Sequence, residues 1–175
     1  MEKRELKKSL EELRNLINAN NMTVEHYKET NCYAYALGLD VKEEDIAEYA
    51  YQPGMISGVN KLTFDRFTYE ELLYWLSEDF KVLNIDYMDS NPEELMREDE
   101  WKIAIFTEYD YSNQKQDYLD DYHFLRQSKN GIWYHKIGWE SFPTNKDSNY
   151  KVIKDVSNCY IAHYDFKKCL KLKLK

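Results

Sequence analysis

The chain has 175 residues, a length that fits one domain around one core, and its formal net charge of −8 carries no basic stripe before the last few residues, which argues against a nucleic-acid partner. No apolar run approaches a membrane span, and the first residues lack the apolar segment of a signal peptide. A cytoplasmic protein is expected, or one delivered into a host or target cell without a cleaved signal, and no membrane partner. Three cysteines, Cys32, Cys159 and Cys169, cannot all pair and show no CxxC spacing, which argues against a disulfide scaffold and a structural zinc site and for a reducing compartment.

Residues 4–19 place Leu6, Leu10, Leu13, Leu16 and Ile17 at helical spacing, so residues 1–28 read as a helical cover for the core. The stretch that follows, Thr30-Asn31-Cys32 through Gly38, offers capping residues, helix formers and a stop, hence a short helix with Cys32 in its first turn. Residues 40–60 are acidic and then turn at Gln52-Pro53-Gly54 and Ser57-Gly58, a loop able to wall a cleft. Thr68 with Glu71 forms a capping box for a helix carrying Leu72, Leu73, Trp75 and Leu76.

Residues 81–86 alternate as a strand, and Pro92 opens another short helix at 91–94. Residues 101–107 are β-rich and apolar in the middle, a central strand. Residues 108–120 lack periodicity and read as a loop beside the site. Residues 123–127 and 131–136 face each other across Ser128-Lys129-Asn130, a hairpin signal. Strands are expected at 150–156 and 159–166, followed by a solvated lysine-rich tail from Lys167. Sixteen tyrosines, four tryptophans and seven phenylalanines suit either a ring-lined groove or the core.

A cysteine at a helix N-terminus meets unpaired N–H groups and the positive end of the dipole, which lowers its pKa and favours the thiolate. Such a thiol needs a base and a third group to orient that base. His123 and His135 supply both: across a three-residue connection they become cross-strand neighbours, in a register where a slip of one residue would send His135 to the opposite face. The Cys32 backbone N–H, with Asn31 or Tyr27, would serve a developing oxyanion, and Trp133 is expected to line the substrate site. His26 reads as a surface residue. The carboxylates Asp117, Asp120 and Asp121 read as solvated, so no metal and no cofactor is expected.

The texts Asn31-Cys32-Tyr33-Ala34-Tyr35-Ala36-Leu37-Gly38, Gln52-Pro53-Gly54, Asp121-Tyr122-His123-Phe124-Leu125-Arg126-Gln127 and Gly131-Ile132-Trp133-Tyr134-His135-Lys136 are similar to a group of bacterial and phage-borne proteins with NCYxYAxG and DYHFxRQ…GxWxHK segments. The order of cysteine helix, strand histidine and second histidine twelve positions on resembles the NlpC/P60 branch of the papain-like cysteine peptidase superfamily. Where that family carries Asp before the cysteine and Ser-Gly after it, this chain has Asn31 and Tyr33-Ala34, and the family's Pro-Gly-Asp is absent before Trp101. The resemblance implies an α+β fold with N-terminal helices packed on an antiparallel sheet, one domain over 1–175 with a papain-like core at 29–166, and the roles of nucleophile for Cys32, base for His123 and orienting residue for His135.

The function so implied is cleavage of an amide bond in a peptide, protein or peptide-like substrate through an acyl-thioester on Cys32, a cysteine peptidase or amidase. Transamidation or deamidation by the same triad is an alternative, set by whether water or an amine resolves the thioester. A non-enzymatic interaction domain of inhibitor or immunity type is another, with a tyrosine-rich groove as its face. A zinc protein ligated by Cys32, His123 and His135 is a third.

Overall fold

A computed structural model describes residues 17, 30–39, 51–60, 66–109, 118–138 and 141–175. Their order is α1 (Cys32–Leu37), β1 (Phe67–Thr68), α2 (Tyr69–Val82), β2 (Ile85–Ser90), β3 (Glu100–Tyr109), β4 (Tyr118–Gln127), β5 (Trp133–His135) and β6 (Asp165–Leu174). The fold is α+β. All the described strands join one antiparallel sheet in the order β1-β4-β3-β6-β2, with β5 also on β4.

The sheet has a helical face and a loop-covered face. β3 is central and buried from Glu100 through Thr107, because its alternate side chains enter two different cores. Trp101, Ile103 and Ile105 point to α1 and α2, among Tyr33, Leu37, Leu72, Leu76, Phe80 and Phe124. Ala104 and Phe106 point the other way, to Leu125, Trp133, Ile153, Val156, Ile161 and Cys169. The covering chain on that second side, 141–164, has turns and single bridges in place of a layer of helix. Both helices end as their sequences predict. Thr68 and Glu71 cap α2 reciprocally, and Gly38 closes α1 at φ 74°, a left-handed value that glycine adopts without strain.

Several expected elements differ. The alternating 81–86 segment is the end of α2 and the start of β2: Lys81 and Val82 close the helix, and the strand begins at Ile85. At 91–94 there is one turn and no helix, since the buried Lys102 ammonium claims the carbonyls of Asn91 (3.2 Å) and Pro92 (2.7 Å) that a helix would use. Tyr118–Asp120, expected in the loop, open β4. No strand forms at 150–156, because Tyr150 sits at φ 61° and the Asp147 carboxylate takes the N–H groups of Asn149 and Lys151, both at 2.9 Å. The strand expected at 159–166 begins only at Asp165.

The lysine-rich end belongs to the sheet, lying between β3 and β2, so the core extends past residue 166. Leu170 and Leu172 are buried on the helical face, and Lys171 and Lys173 turn to the other face. Lys168 pairs with Asp89, Lys171 with Glu94, Lys173 with Asp99 and Lys175 with Asp86. Of the helix expected at 4–19 only Ile17 is described. It is buried and makes an antiparallel bridge with Leu39, so the backbone there pairs in β fashion. No helix among the described residues is long and apolar enough to cross a membrane.

Candidate active site

Cys32 reaches the sheet at a gap in its ladder. Along the outer edge of β4, β1 ends opposite Leu119 and β5 begins opposite Leu125, and no described strand covers the residues between them. The N–H of Ser128 donates across that edge to Ile132 O at 2.8 Å, so by strand alternation the N–H groups of Arg126 and Phe124 point the same way. The first turn of α1 fills the gap, and the Phe124 N–H is turned on the Cys32 sulfur together with the N–H groups of Tyr33 and of Cys32 itself. Arg126 and Trp101 pin the helix from the sheet, each donating to Ala36 O at 3.3 and 3.2 Å.

His123, the residue before Phe124, points to the loop-covered face with Leu125. The pairing of β4 with β5 sets Leu125, not His123, opposite His135. His123 and His135 are therefore diagonal neighbours on one face, one step away from the expected direct pair. Their imidazoles still meet edge-on, with ring centroids 5.1 Å apart and His123 Nε2 2.8 Å from His135 Nδ1.

A third contact assigns the protons. His135 Nε2 lies 2.8 Å from Lys146 O. A carbonyl only accepts, so Nε2 carries the hydrogen, and Nδ1 of the neutral ring is an acceptor. His123 must then donate from Nε2, which leaves His123 Nδ1 bare, the one nitrogen of the pair able to take a proton. Burial keeps both rings neutral. It pushes His123 down to about 3, with His135 adding to the effect, and it pulls His135 below its ordinary value against the Lys146 carbonyl and Asp147.

The thiol departs from the expected trend. Burial drives Cys32 up to about 12, and the Asp121 carboxylate adds to the rise, against the three N–H groups that favour the thiolate. Desolvation outweighs what a six-residue helix can offer at its N-terminus. At neutral pH the thiolate is on the order of one molecule in 10⁵, so attack needs a base at the moment of reaction. Asp121 itself accepts from the Tyr164 hydroxyl at 2.5 Å, and the Tyr164 ring lies 5.3 Å from that of His123.

Two expected binding residues have other duties. Asn31 is the N-cap: its Oδ1 accepts from Ala34 N at 2.8 Å and its Nδ2 donates to Tyr51 O at 3.1 Å, which directs its amide away from an oxyanion role. Trp133 is wholly buried in the second core and its indole N–H has no partner among the described residues, so it is a core residue and not a substrate contact. Tyr27, His26 and Asp117 lie outside the described residues. Among the described residues no group of three or more His, Cys, Asp or Glu is placed to hold a metal ion, and both nitrogens of His135 are engaged, one with His123 and one with the Lys146 carbonyl.

Sequence reasoning missed the Lys146 carbonyl, a backbone group without any residue-type signal. It also missed Asp79, which had one: with Leu72, Leu76 and Phe80 it lies on the buried stripe of α2, where a carboxylate calls for partners. No family model, curated protein or solved structure matches the chain.

Proposed function

We propose that the protein is a cysteine hydrolase of papain-like, NlpC/P60-like type, cleaving an amide bond in a peptide or peptide-like substrate. The observation that carries this is the proton relay Lys146 O, His135, His123, which leaves an acceptor nitrogen on His123 while the adjoining Phe124 amide faces the Cys32 sulfur. Cys32 is the nucleophile, His123 the general base and acid, and His135 the residue that orients His123.

In the first step the Cys32 proton passes to His123 Nδ1 as sulfur bonds to the substrate carbonyl carbon, and the C=O electron pair moves onto oxygen. The high thiol pKa and the low imidazole pKa make the neutral pair the resting state, with charge appearing only as the S–C bond forms. The Cys32 backbone N–H would serve the oxyanion as it develops. Collapse of the tetrahedral species breaks the C–N bond, and the His123 proton leaves with the amine. Water, deprotonated by the same nitrogen, then attacks the thioester and returns the proton to sulfur. An amine in place of water gives transamidation. Three cysteines outside any disulfide support a reducing, cytoplasmic setting.

An acyl reporter tests the proposal without the natural substrate. Incubation with p-nitrophenyl acetate should release nitrophenolate and leave one acetyl group on Cys32, located by intact and peptide mass spectrometry. Cys32→Ala should abolish both. Acetylation at the same rate in Cys32→Ala, or acetylation only at lysines, would refute the assignment.

A further inference from the structure

The residues on either side of Cys32 are tied to a single buried carboxylate. Asp79, in the last turn of α2, is fully buried and accepts hydrogen bonds from the Tyr33 hydroxyl at 3.0 Å and Gly54 N at 2.7 Å, both on Oδ2, from Ser57 N at 2.7 Å on Oδ1, and from the Ser57 side chain. Tyr33 follows Cys32 in the chain. Asn31 precedes it, and the Asn31 amide donates to Tyr51 O, in the loop that Gly54 and Ser57 belong to. That loop is tight: Asn60 N donates to Gly54 O at 2.9 Å, and the Asn60 side chain to Pro53 O at 2.9 Å. Gly54, at φ 82°, has no room for a side chain, since an added Cβ would stand 2.7 Å from Asn60 and 2.9 Å from Trp75.

We propose that Asp79 is a positioning residue for the nucleophile, holding Cys32 in register with β4 by clamping Tyr33 directly and Asn31 through the 51–60 loop. The inference rests on the assignment of Cys32 as nucleophile made above. α1 is six residues long, too short to hold its own geometry, and its sulfur must meet a base carried by another element. An error of about 1 Å at such a centre costs roughly a hundredfold in rate. Arg126 and Trp101 hold the far end of α1 through Ala36 O, the two contacts that flank Cys32 hold its start, and Asp79 joins those two.

The electrostatics fit a role in placement more than in stability. Burial lifts the Asp79 carboxyl above its ordinary range in spite of its donors. A carboxyl raised in the folded state takes a proton more readily there than in the unfolded chain, so its contribution to stability falls as pH rises through that window, and the ionised form is the less stabilising one. All its donors nevertheless point at it as an acceptor. Asp79→Asn would set an NH₂ against the Gly54 or Ser57 N–H and loosen the loop.

The experiment compares acetylation of Cys32 by p-nitrophenyl acetate in the wild type, Asp79→Asn and Tyr33→Phe, with melting temperature measured for each. The expected result for Asp79→Asn is a limiting acylation rate lower by roughly ten- to a hundredfold at an unchanged half-saturating concentration. Tyr33→Phe, which removes one hydroxyl and keeps the ring, should show a smaller loss of the same kind. The double variant should lose no more than Asp79→Asn alone, because both act through one contact. If Asp79→Asn does not fold, Tyr33→Phe decides. A limiting rate within twofold of wild type in the folded variants, or a loss confined to the half-saturating concentration, overturns the positioning role while leaving the nucleophile assignment intact. Failure of the wild type to acetylate at Cys32 overturns both.

Discussion

Cys32 and Cys169 have the same thiol acidity in opposite settings. Burial drives each to about 12, with Cys32 eased by first-turn and Phe124 N–H groups and Cys169 by the Lys102 ammonium. A pKa therefore does not single out a nucleophile here. Cys32 lies at a gap in a sheet ladder, beside a strand that carries an imidazole with one bare nitrogen. Cys169 lies in a continuous ladder between β3 and β2, opposite Ala104 and Ser90, and the protons of Lys102 go to the Asn91 and Pro92 carbonyls. On the proposed function, a base on the neighbouring strand is what separates the two thiols.

The sharpest way to break this contrast is to remove the base. His123→Ala should lower Cys32 acetylation by roughly 10²- to 10⁴-fold, the range a general base contributes, and leave the trace reaction of Cys169 as it was. His135→Ala should cost less, since it removes the acceptor that fixes the His123 tautomer but not the base, and His135→Asn should recover part of that loss by offering an amide oxygen to His123 Nε2–H. Stopped-flow nitrophenolate release with peptide mapping reads each thiol separately. Equal losses at Cys32 and Cys169 would mean that His123 holds the second core together and does no chemistry.

Acid should separate the regions next. The His123 pKa is depressed from its ordinary 6.5 to about 3 and that of His135 is depressed too, so below the ordinary value the unfolded chain binds protons that the fold refuses. Stability should fall as pH drops from about 6.5 toward 3, at about 1.4 kcal/mol per pH unit for His123 alone. Chemical denaturation across that window should show a shallower slope in His123→Asn. Cys169, pushed up to about 12, does not titrate there, and substituting it should leave the slope unchanged.

How far the sequence foretold these two regions follows from what each depends on. The cysteine helix was legible because its signals are local: Asn31 as cap, Gly38 as stop and Cys32 between them. The α2 capping box and the central place of β3 were legible for the same reason. The meeting of His123 with His135 was legible as a hairpin but not in register, since the turn closes from Ser128 to Ile132 and moves the pairing so that Leu125 faces His135. The surroundings of Cys169 were not legible: the lysines of β6 look like a solvated tail until the acidic residues of distant segments are placed beside them. Trp133, expected at the substrate site, is buried in the second core. Non-local partners, and a backbone carbonyl such as that of Lys146, leave no mark on residue type.

The finest test acts on the two thiols without touching a base. The Asp121 carboxylate raises the Cys32 pKa, and the Lys102 ammonium lowers that of Cys169. Asp121→Asn should therefore shift the Cys32 titration downward and leave Cys169 in place, whereas Lys102→Met should shift Cys169 upward and leave Cys32 in place. Thiolate absorbance followed against pH, in single-cysteine backgrounds, reads both shifts. Asp121 also accepts from the Tyr164 hydroxyl, so Tyr164→Phe should leave the carboxylate less neutralised and move Cys32 slightly further up, opposite in sign to Asp121→Asn. If Asp121→Asn moves both thiols alike, the carboxylate acts through the fold as a whole. A shift at Cys32 alone makes Asp121 and Tyr164 the local control on how readily that thiol gives up its proton.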